Sequence, residues 1–358
     1  MSSEYKAGNL SISIFGESHG TAIGVVIDGL PGGVKLDFDE ILKFMARRAP
    51  KKDGTSTMRN ETDFPEVVSG LVDNVTTGTP LCAMIRNKDQ HSNDYKSVSH
   101  LARPGHADYT GYVRYNGSND LRGGGHFSGR ITAPLVFAGA VASQILKQKG
   151  ITTGAHILSI NGISDDSFNP VMVNSELLET VKGRYLPLIN QGTENDMRNA
   201  IRKASETLDS VGGIIECAAT NVPVGIGSPM FDGLENRISQ LVFGVPAVKG
   251  IEFGNGFTCA NITGKENNDE FYMDNDIIRT RTNNHGGILG GISSGMPIIF
   301  RVAIKPTPSI AQAQNTVDYT TKTDEVLNIK GRHDPCIVPR AVPCIEAAMN
   351  IALLSFLV

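Results

Sequence analysis

The stretch Ser11-Ile12-Ser13-Ile14-Phe15-Gly16-Glu17-Ser18-His19-Gly20-Thr21-Ala22-Ile23-Gly24-Val25-Val26-Ile27-Asp28-Gly29 is where two folds part company. Its centre, Gly16-Glu17-Ser18-His19-Gly20, has the G-x-S-x-G pattern of the nucleophile elbow of serine hydrolases. An elbow requires a helix to start directly after the serine. Here the following residues are β-branched and include Gly24, so they read as a second strand. The segment therefore predicts a hairpin with Ser18 and His19 at its corner. A second match, Gly291-Ile292-Ser293-Ser294-Gly295, lies among glycine-rich runs and opens no helix either. A chain with 39 Gly produces such matches easily.

Outward from the hairpin, Leu30-Pro31-Gly32-Gly33 is a turn, and residues 36–45 read as a helix with an acidic first turn. Pro50 stops it after Arg47 and Arg48. Residues 51–63 are polar and read as a loop; 67–72 and 81–85 read as strands. Residues 88–122 form a long irregular stretch rich in His, Asp, Tyr and Gly, which marks it as functional. Residues 130–149 are a buried, Ala-rich helix, and 175–208 carry charges at helical spacing. The second half echoes the first: a strand at 212–219, a helix at 232–242, a glycine-rich loop at 286–295 running into a strand at 297–304. Arg340-Ala341-Val342-Pro343 opens a last apolar helix as Arg130-Ile131-Thr132-Ala133-Pro134 opens the earlier one. With no linker between the halves, one domain over 1–358 with internal pseudo-duplication is expected.

Composition narrows the function. Apolar residues at 40% and charged residues at 20% are those of a soluble globular protein. The opening residues lack a secretory layout, and the apolar 345–358 segment is broken by Glu346 and Asn350. Five scattered Cys with no C-x-x-C pair point to reduced thiols and a cytoplasmic protein. A net charge of −4 argues against nucleic acid as a partner, and nothing calls for a membrane. Locally the picture differs. Arg47, Arg48, Arg103, Arg122, Arg130, Arg279, Arg281, Arg332 and Arg340 sit in segments rich in Gly, Pro or His, which suggests a site for small anions.

Four further segments carry chemistry: Arg103-Pro104-Gly105-His106-Ala107-Asp108; Arg122-Gly123-Gly124-Gly125-His126-Phe127-Ser128-Gly129-Arg130; His285 to Gly295 together with Lys305-Pro306-Thr307-Pro308-Ser309; and Gly331-Arg332-His333-Asp334-Pro335-Cys336. The second ends where a helix begins, which brings free amides and the positive helix end to any bound anion. There is no G-x-G-x-x-G, no P-loop lysine motif and no H-E-x-x-H. No metal site is expected, although His106 and Asp108 are two apart.

The ordered set GESHG, RPGHAD, RGGGHFSGR, HGGILGGISSG, KPTPS and GRHDPC resembles the chorismate synthase family over nearly the whole chain. The resemblance implies an α+β fold, a β-α-β sandwich with helices between outer antiparallel sheets, assembled as a homotetramer. It implies a lyase of the shikimate pathway that converts 5-enolpyruvylshikimate 3-phosphate to chorismate by 1,4-anti elimination, with reduced FMN and no net redox change. NADPH is the reductant it brings to mind. By the same resemblance, Ser18, His19, Arg48, Arg103, Arg130 and Arg332 bind the substrate or its leaving phosphate. His126, Phe127, Ser128, Gly290, Lys305, Pro306, Thr307, Pro308, Ser309 and Arg332 line the flavin site, and Arg48 matches a nicotinamide-nucleotide position. His19 and His106 are catalytic, His106 as proton donor, and Asp334 helps the flavin remove the C6 proton. An electron-rich cofactor against the substrate suits loss of phosphate, and histidine suits proton delivery near neutrality.

Blander readings stand beside these. Most histidines are structural, and His91, His100 and His156 are read so; His285 and His333 have no assigned role. Asp334 before Pro335 also fits a turn cap. The loop 51–59 departs from the Arg/Gly-rich loop of many bacterial relatives, and His126-Phe127-Ser128 replaces the Arg-Ser-Ser common there, which points to flavin contact through the backbone. The competing functions are a serine hydrolase and a non-catalytic flavin-binding protein.

Overall fold

The computed structural model describes residues 3–50, 63–87, 100–329 and 334–358. The opening segment is a hairpin. Strands β1 (Glu4–Ala7), β2 (Leu10–Gly16) and β3 (Ala22–Asp28) run antiparallel, with Ile12 opposite Ile27 and Phe15 opposite Gly24. Leu10 and Ile12 on one strand and Ile23, Val25 and Ile27 on the next are buried, a period of two that holds the register. Helix α1 (Phe38–Ala46) follows, and the Asp37 carboxylate caps it by accepting from the N–H groups of Asp39 at 2.9 Å and Glu40 at 3.2 Å. Strands β4 (Pro65–Ser69) and β5 (Leu81–Arg86) complete an antiparallel sheet in the order β1-β2-β3-β5-β4. The short helix α2 (Asp108–Arg114) and the long helix α3 (Thr132–Gln148) end this half.

The second half repeats the plan. It contains β6 (Thr152–Ile160), β7 (Ile163–Ser164), α4 (Ser175–Lys182), α5 (Glu194–Glu206), β8 (Gly213–Thr220), α6 (Leu234–Phe243), β9 (Val248–Phe253), β10 (Ile298–Ile304) and α7 (Val338–Leu354). Its antiparallel sheet has the order β7-β6-β8-β10-β9. Elements β2, β3, α1, β4, β5 and α3 correspond one for one to β6, β8, α6, β9, β10 and α7, both in chain order and in sheet position. The pseudo-duplication read from the sequence is therefore a repeat of topology. Helix α3 lines the first sheet with α1 packed on it, α6 and α7 line the second, and α3 packs on α7 between them.

Helices α3 and α7 are apolar on nearly every face because protein surrounds them. The stretch Gly129–Gln148 is long and apolar enough to cross a membrane, but 78% of that apolar window is buried in the fold. Where the two helices cross, a Cβ on Gly139 would lie 2.2 Å from the Ala347 Cβ, so only glycine permits the approach. Polar groups in this layer are paired. Asn350 Nδ2 donates to the Gly139 carbonyl at 3.2 Å, and Thr153 Oγ1 donates to Asn350 Oδ1 at 2.5 Å. Glu346 is fully buried and holds Arg47 at 2.8 Å and Lys182 at 3.4 Å, which ties α1 and α4 to α7. Burial pushes the Glu346 carboxyl pKa up, but Arg47 and Lys182 outweigh it and bring it below the ordinary value.

Three sequence expectations need correction. The strand over 67–72 ends at Ser69, because Gly70 at φ +86° turns the chain and Leu71–Val72 pairs with Val75–Thr76 instead. The helical spacing over 175–208 is two helices, separated by Gly183 and Pro187. The glycine-rich 286–295 loop contains a hairpin, Ile288–Leu289 with Ile292–Ser293.

His156 is structural, as read from the sequence. It lies in β6 opposite Glu216 of β8, fully buried, with Nε2 3.0 Å from Glu216 Oε2 and Nδ1 3.4 Å from Asp165 Oδ2. The same carboxylates accept backbone N–H groups of Phe168, Ile189 and Asn190, so the imidazole clasps the excursion between β7 and β8 to the sheet. Burial pushes the His156 pKa down, but Asp165 and Glu216 outweigh it and raise it above the ordinary 6.5. Below that value folded and unfolded chains both carry the proton and the stabilisation is complete. It is lost as the pH rises through the raised folded-state value, where two buried carboxylates lose their cation. The thermal midpoint should accordingly fall on the alkaline side of 6.5; a midpoint that stays flat or rises there would contradict the clasp.

Candidate active site

The pentapeptide corner packs against the Arg122–Phe127 turn. Ser18 N–H donates to the Gly125 carbonyl at 3.2 Å, and Ser18 Oγ donates to the Arg122 carbonyl at 3.3 Å and lies 3.2 Å from His19 Nδ1. No helix follows Ser18, so the elbow geometry is absent. His126 Nδ1 donates to the Gly16 carbonyl at 2.7 Å, and Nε2 lies 2.6 Å from Ser3 Oγ. The Phe127 ring packs near Tyr115, with centroids 6.2 Å apart. Ser128 Oγ accepts the Arg130 N–H at 3.3 Å and caps the 3₁₀ turn Gly129–Ile131 that leads into α3. These three side chains serve the scaffold.

Two histidines converge on one glycine pair. Gly123 (φ +60°) and Gly124 (φ +91°) take conformations that side chains rarely adopt. A Cβ on Gly123 would sit 1.9 Å from His19 Cε1, and one on Gly124 would sit 3.1 Å from His106 Nε2. Gly123→Ala should therefore displace the His19 ring. We expect turnover to fall by about 10²-fold and stability by more than about 1 kcal/mol, because alanine at this positive φ is strained. Turnover equal to wild type in the folded variant would show that His19 has no positional role.

His106 and Arg103 share a carboxylate. Arg103 Nε and Nη2 each reach Asp108 at 2.7 Å, a bidentate pair, and His106 Nδ1 donates to Asp108 Oδ1 at 2.8 Å. With Nδ1 held there, His106 Nε2 faces Gly124. The His106–Asp108 spacing that also suits a metal is thus filled by a guanidinium. Burial pushes the Asp108 carboxyl pKa up, but hydrogen bonds from Arg103 and His106 outweigh it and hold it well below the carboxylate range. The Lys305–Ser309 segment closes on this group: Lys305 Nζ donates to the Gly105 carbonyl at 2.5 Å, and Arg103 Nη1 reaches Ser309 Oγ at 3.5 Å. Burial and the nearby Lys249 push the Lys305 pKa down.

A second charged group adjoins. The Asp63 carboxylate bridges Arg48 and Arg130, and all three are buried. Burial pushes the Asp63 pKa up, yet Arg48 and Arg130 outweigh it and bring it below the ordinary value. Arg130 Nε also donates to Asn87 Oδ1 at 3.1 Å, while Asn87 Nδ2 donates to the carbonyls of Glu17 at 3.0 Å and Gly20 at 2.9 Å. Asn87 therefore couples Arg130 to the pentapeptide corner. Arg340 Nε donates to the Arg48 carbonyl at 3.0 Å and its Nη1 pairs with Asp334 at 2.6 Å. Sequence reasoning missed Asp63 and Asn87, since neither lies in a motif.

Not every expected residue joins this pocket. Gly290 is at the tip of the hairpin before β10, and Lys305 follows the end of β10, a separation of about 20 Å at strand rise. Arg47 pairs with Glu346 and Arg122 with Asp120, while Arg279 and Arg281 lie on or beside the hairpin of Phe271–Asp274 with Ile277–Thr280. His285 Nδ1 accepts from Gly287 N–H at 3.0 Å and serves that loop. Arg332, His333, His91 and the 51–59 loop lie outside the described residues. The residues present fit a flavin on one direct observation: Thr307 Oγ1 is buried beside Lys305 and Ser309 with no hydrogen-bond partner.

A duplicated α+β sandwich that gathers histidines and arginines on glycine-built turns is the scaffold of an enzyme that acts on a small molecule. Comparison makes that class specific. The family profile described as chorismate synthase matches residues 10–358. A chorismate synthase of Dehalococcoides mccartyi is 45% identical over 342 residues, 96% of this chain and 93% of that one. One of Thermococcus kodakarensis is 41% identical over 348 residues, 97% and 96% of the two chains. A crystal structure of chorismate synthase superposes with a TM-score of 0.76 at 29% identity, covering 98% of this chain and 92% of that one. The chain belongs to the chorismate synthase family, carbon–oxygen lyases that act on a phosphate.

Proposed function

We propose that the pocket catalyses the 1,4-anti elimination of phosphate from 5-enolpyruvylshikimate 3-phosphate to give chorismate, with reduced FMN bound and no net redox change. The observation that carries this reading is the convergence of His19 and His106 on Gly123 and Gly124 beside the Arg103–Asp108 and Arg48–Asp63–Arg130 groups. A substrate with two carboxylates and a phosphate binds only where cations and hydrogen bonds replace its hydration. Ser18, His19, Arg48, Arg103, Arg130 and Arg332 fill that role. Arg48, 3% exposed and set on Asp63, suits a small anion better than a nicotinamide nucleotide.

His106 protonates the departing phosphate from Nε2 while Asp108 holds Nδ1 and steadies the ring. Asp334, placed by Arg340, helps remove the C6 proton. One proton leaves C6, the C–O bond to phosphate breaks, and the new double bond closes the balance. Bound reduced FMN supplies electron density transiently as that bond breaks. The backbone at His126, Phe127 and Ser128, with Lys305, Pro306, Thr307, Pro308, Ser309 and Arg332, holds it; Gly290 joins only across a subunit boundary. NADPH is the reductant to test. The chain acts as a single cytoplasmic domain in a homotetramer, with exposed Phe271, Met273, Ile277 and Ile278 on one hairpin as an apolar surface for a second copy.

An anaerobic assay tests the reaction. Phosphate and chorismate should appear one to one from 5-enolpyruvylshikimate 3-phosphate, and an organophosphonate should leave Ser18 unlabelled. FMN binding without phosphate release would favour a non-catalytic flavoprotein. Asp334→Asn should keep flavin binding but slow the reaction and enlarge the isotope effect of substrate deuterated at C6, since the amide is nearly isosteric but not basic. Unaltered turnover in that variant would remove Asp334 from the reaction.

A further inference from the structure

A second arginine cluster lies behind the pocket, in a cleft between the end of α1, the Arg184–Pro187 segment and the first turn of α7. Arg47, Arg184 and Arg340 line it, with Tyr185 at its mouth. Its void is about 490 Å³ with the open mouth included. Arg47 Nη2 is spent on Glu346 at 2.8 Å, whereas Arg47 Nη1 is buried with no hydrogen-bond partner. Arg184 donates to the carbonyls of Leu188 and Ile189 and pairs with no carboxylate among the described residues. Arg340 has Asp334 at 2.6 Å. Lys182 lies 3.1 Å from Glu179 and 3.4 Å from Glu346, so the described charges around the cleft are four cations against three carboxylates, and Arg184 is the cation without one. Cys336 on the wall adds no charge, because burial pushes its thiol pKa up to about 12.

We propose that this cleft is a binding site for a small oxyanion, phosphate in particular, separate from the catalytic pocket. The physical reasons are three. A buried guanidinium N–H without an acceptor is costly, and an anion supplies the acceptor. Guanidiniums in one cleft repel each other until an anion neutralises them. The positive end of the 17-residue helix α7 adds to the same field. Guanidinium forks on the wall match the oxygens of a single tetrahedral group.

Calorimetric titration of inorganic phosphate onto the full-length chain tests the site. Wild type should show two classes of phosphate binding, one in the catalytic pocket and one in the cleft. Arg130→Gln should weaken the first and spare the second. Arg184→Gln should weaken the second by at least about tenfold with turnover unchanged, as expected for loss of a charge-assisted hydrogen bond. Arg184 also braces two carbonyls, so Tyr185→Glu at the exposed mouth provides a second variant: it gives up the ring under Arg198 but keeps both carbonyl hydrogen bonds while placing a repelling carboxylate at the mouth. Wild-type phosphate binding in either folded variant overturns the site, as does loss of both classes in Arg130→Gln.

Discussion

Withholding reduced FMN is expected to abolish turnover, and oxidised FMN without a reductant is not expected to restore it. No reducing equivalent should be consumed per chorismate formed. The stoichiometry requires this, because substrate and products differ only by loss of phosphoric acid. The place proposed for the cofactor offers a buried Thr307 hydroxyl in need of a partner, the Lys305 ammonium with its pKa pushed down, and main-chain groups at 126–128 whose side chains are engaged elsewhere. Substrate should also bind more tightly with flavin present, since the flavin would then form part of the pocket wall. The measurement is chorismate formed under anaerobic conditions against electrons consumed, with and without NADPH. Full activity with oxidised FMN, or with none, in the absence of reductant would refute the proposed chemistry.

His106→Ala should lower turnover by about 10²–10⁴-fold, the range for loss of a general acid. The fold should survive, because the Arg103–Asp108 pair remains bidentate without the imidazole. His100→Ala is the control: it loses only a contact 3.7 Å from Asp318. Steady-state rates and thermal midpoints of both variants separate chemistry from folding. Equal loss of turnover in both would remove His106 from the proton-donor role.

The hairpin at Ser18 was legible because β-branched residues on both sides of the corner alternate toward one core. Helices α3 and α7 were legible from unbroken apolar composition, and the repeat from the matching order of elements. That His19, His106, Arg103 and Arg130 belong to one candidate site was legible because each sits in a glycine-containing motif; their roles in it remain proposals. Gly290 was in a motif too, yet the length of β10 keeps it from Lys305 within one chain.

Local pattern determined the elements, their order and the residue types of the site, because period, glycine and proline act over a few neighbouring residues. Partners were decided by tertiary structure alone. Asp63 carries no local mark and becomes a bridge only when α1 and α3 bring Arg48 and Arg130 to it. Arg47 and Arg48 are adjacent and chemically identical. At the end of α1 successive side chains project about 100° apart. Arg47 therefore turns to Glu346 in the core and Arg48 to Asp63 in the pocket. No reading of neighbours along the chain separates the two, since their difference lies in what the fold places opposite each.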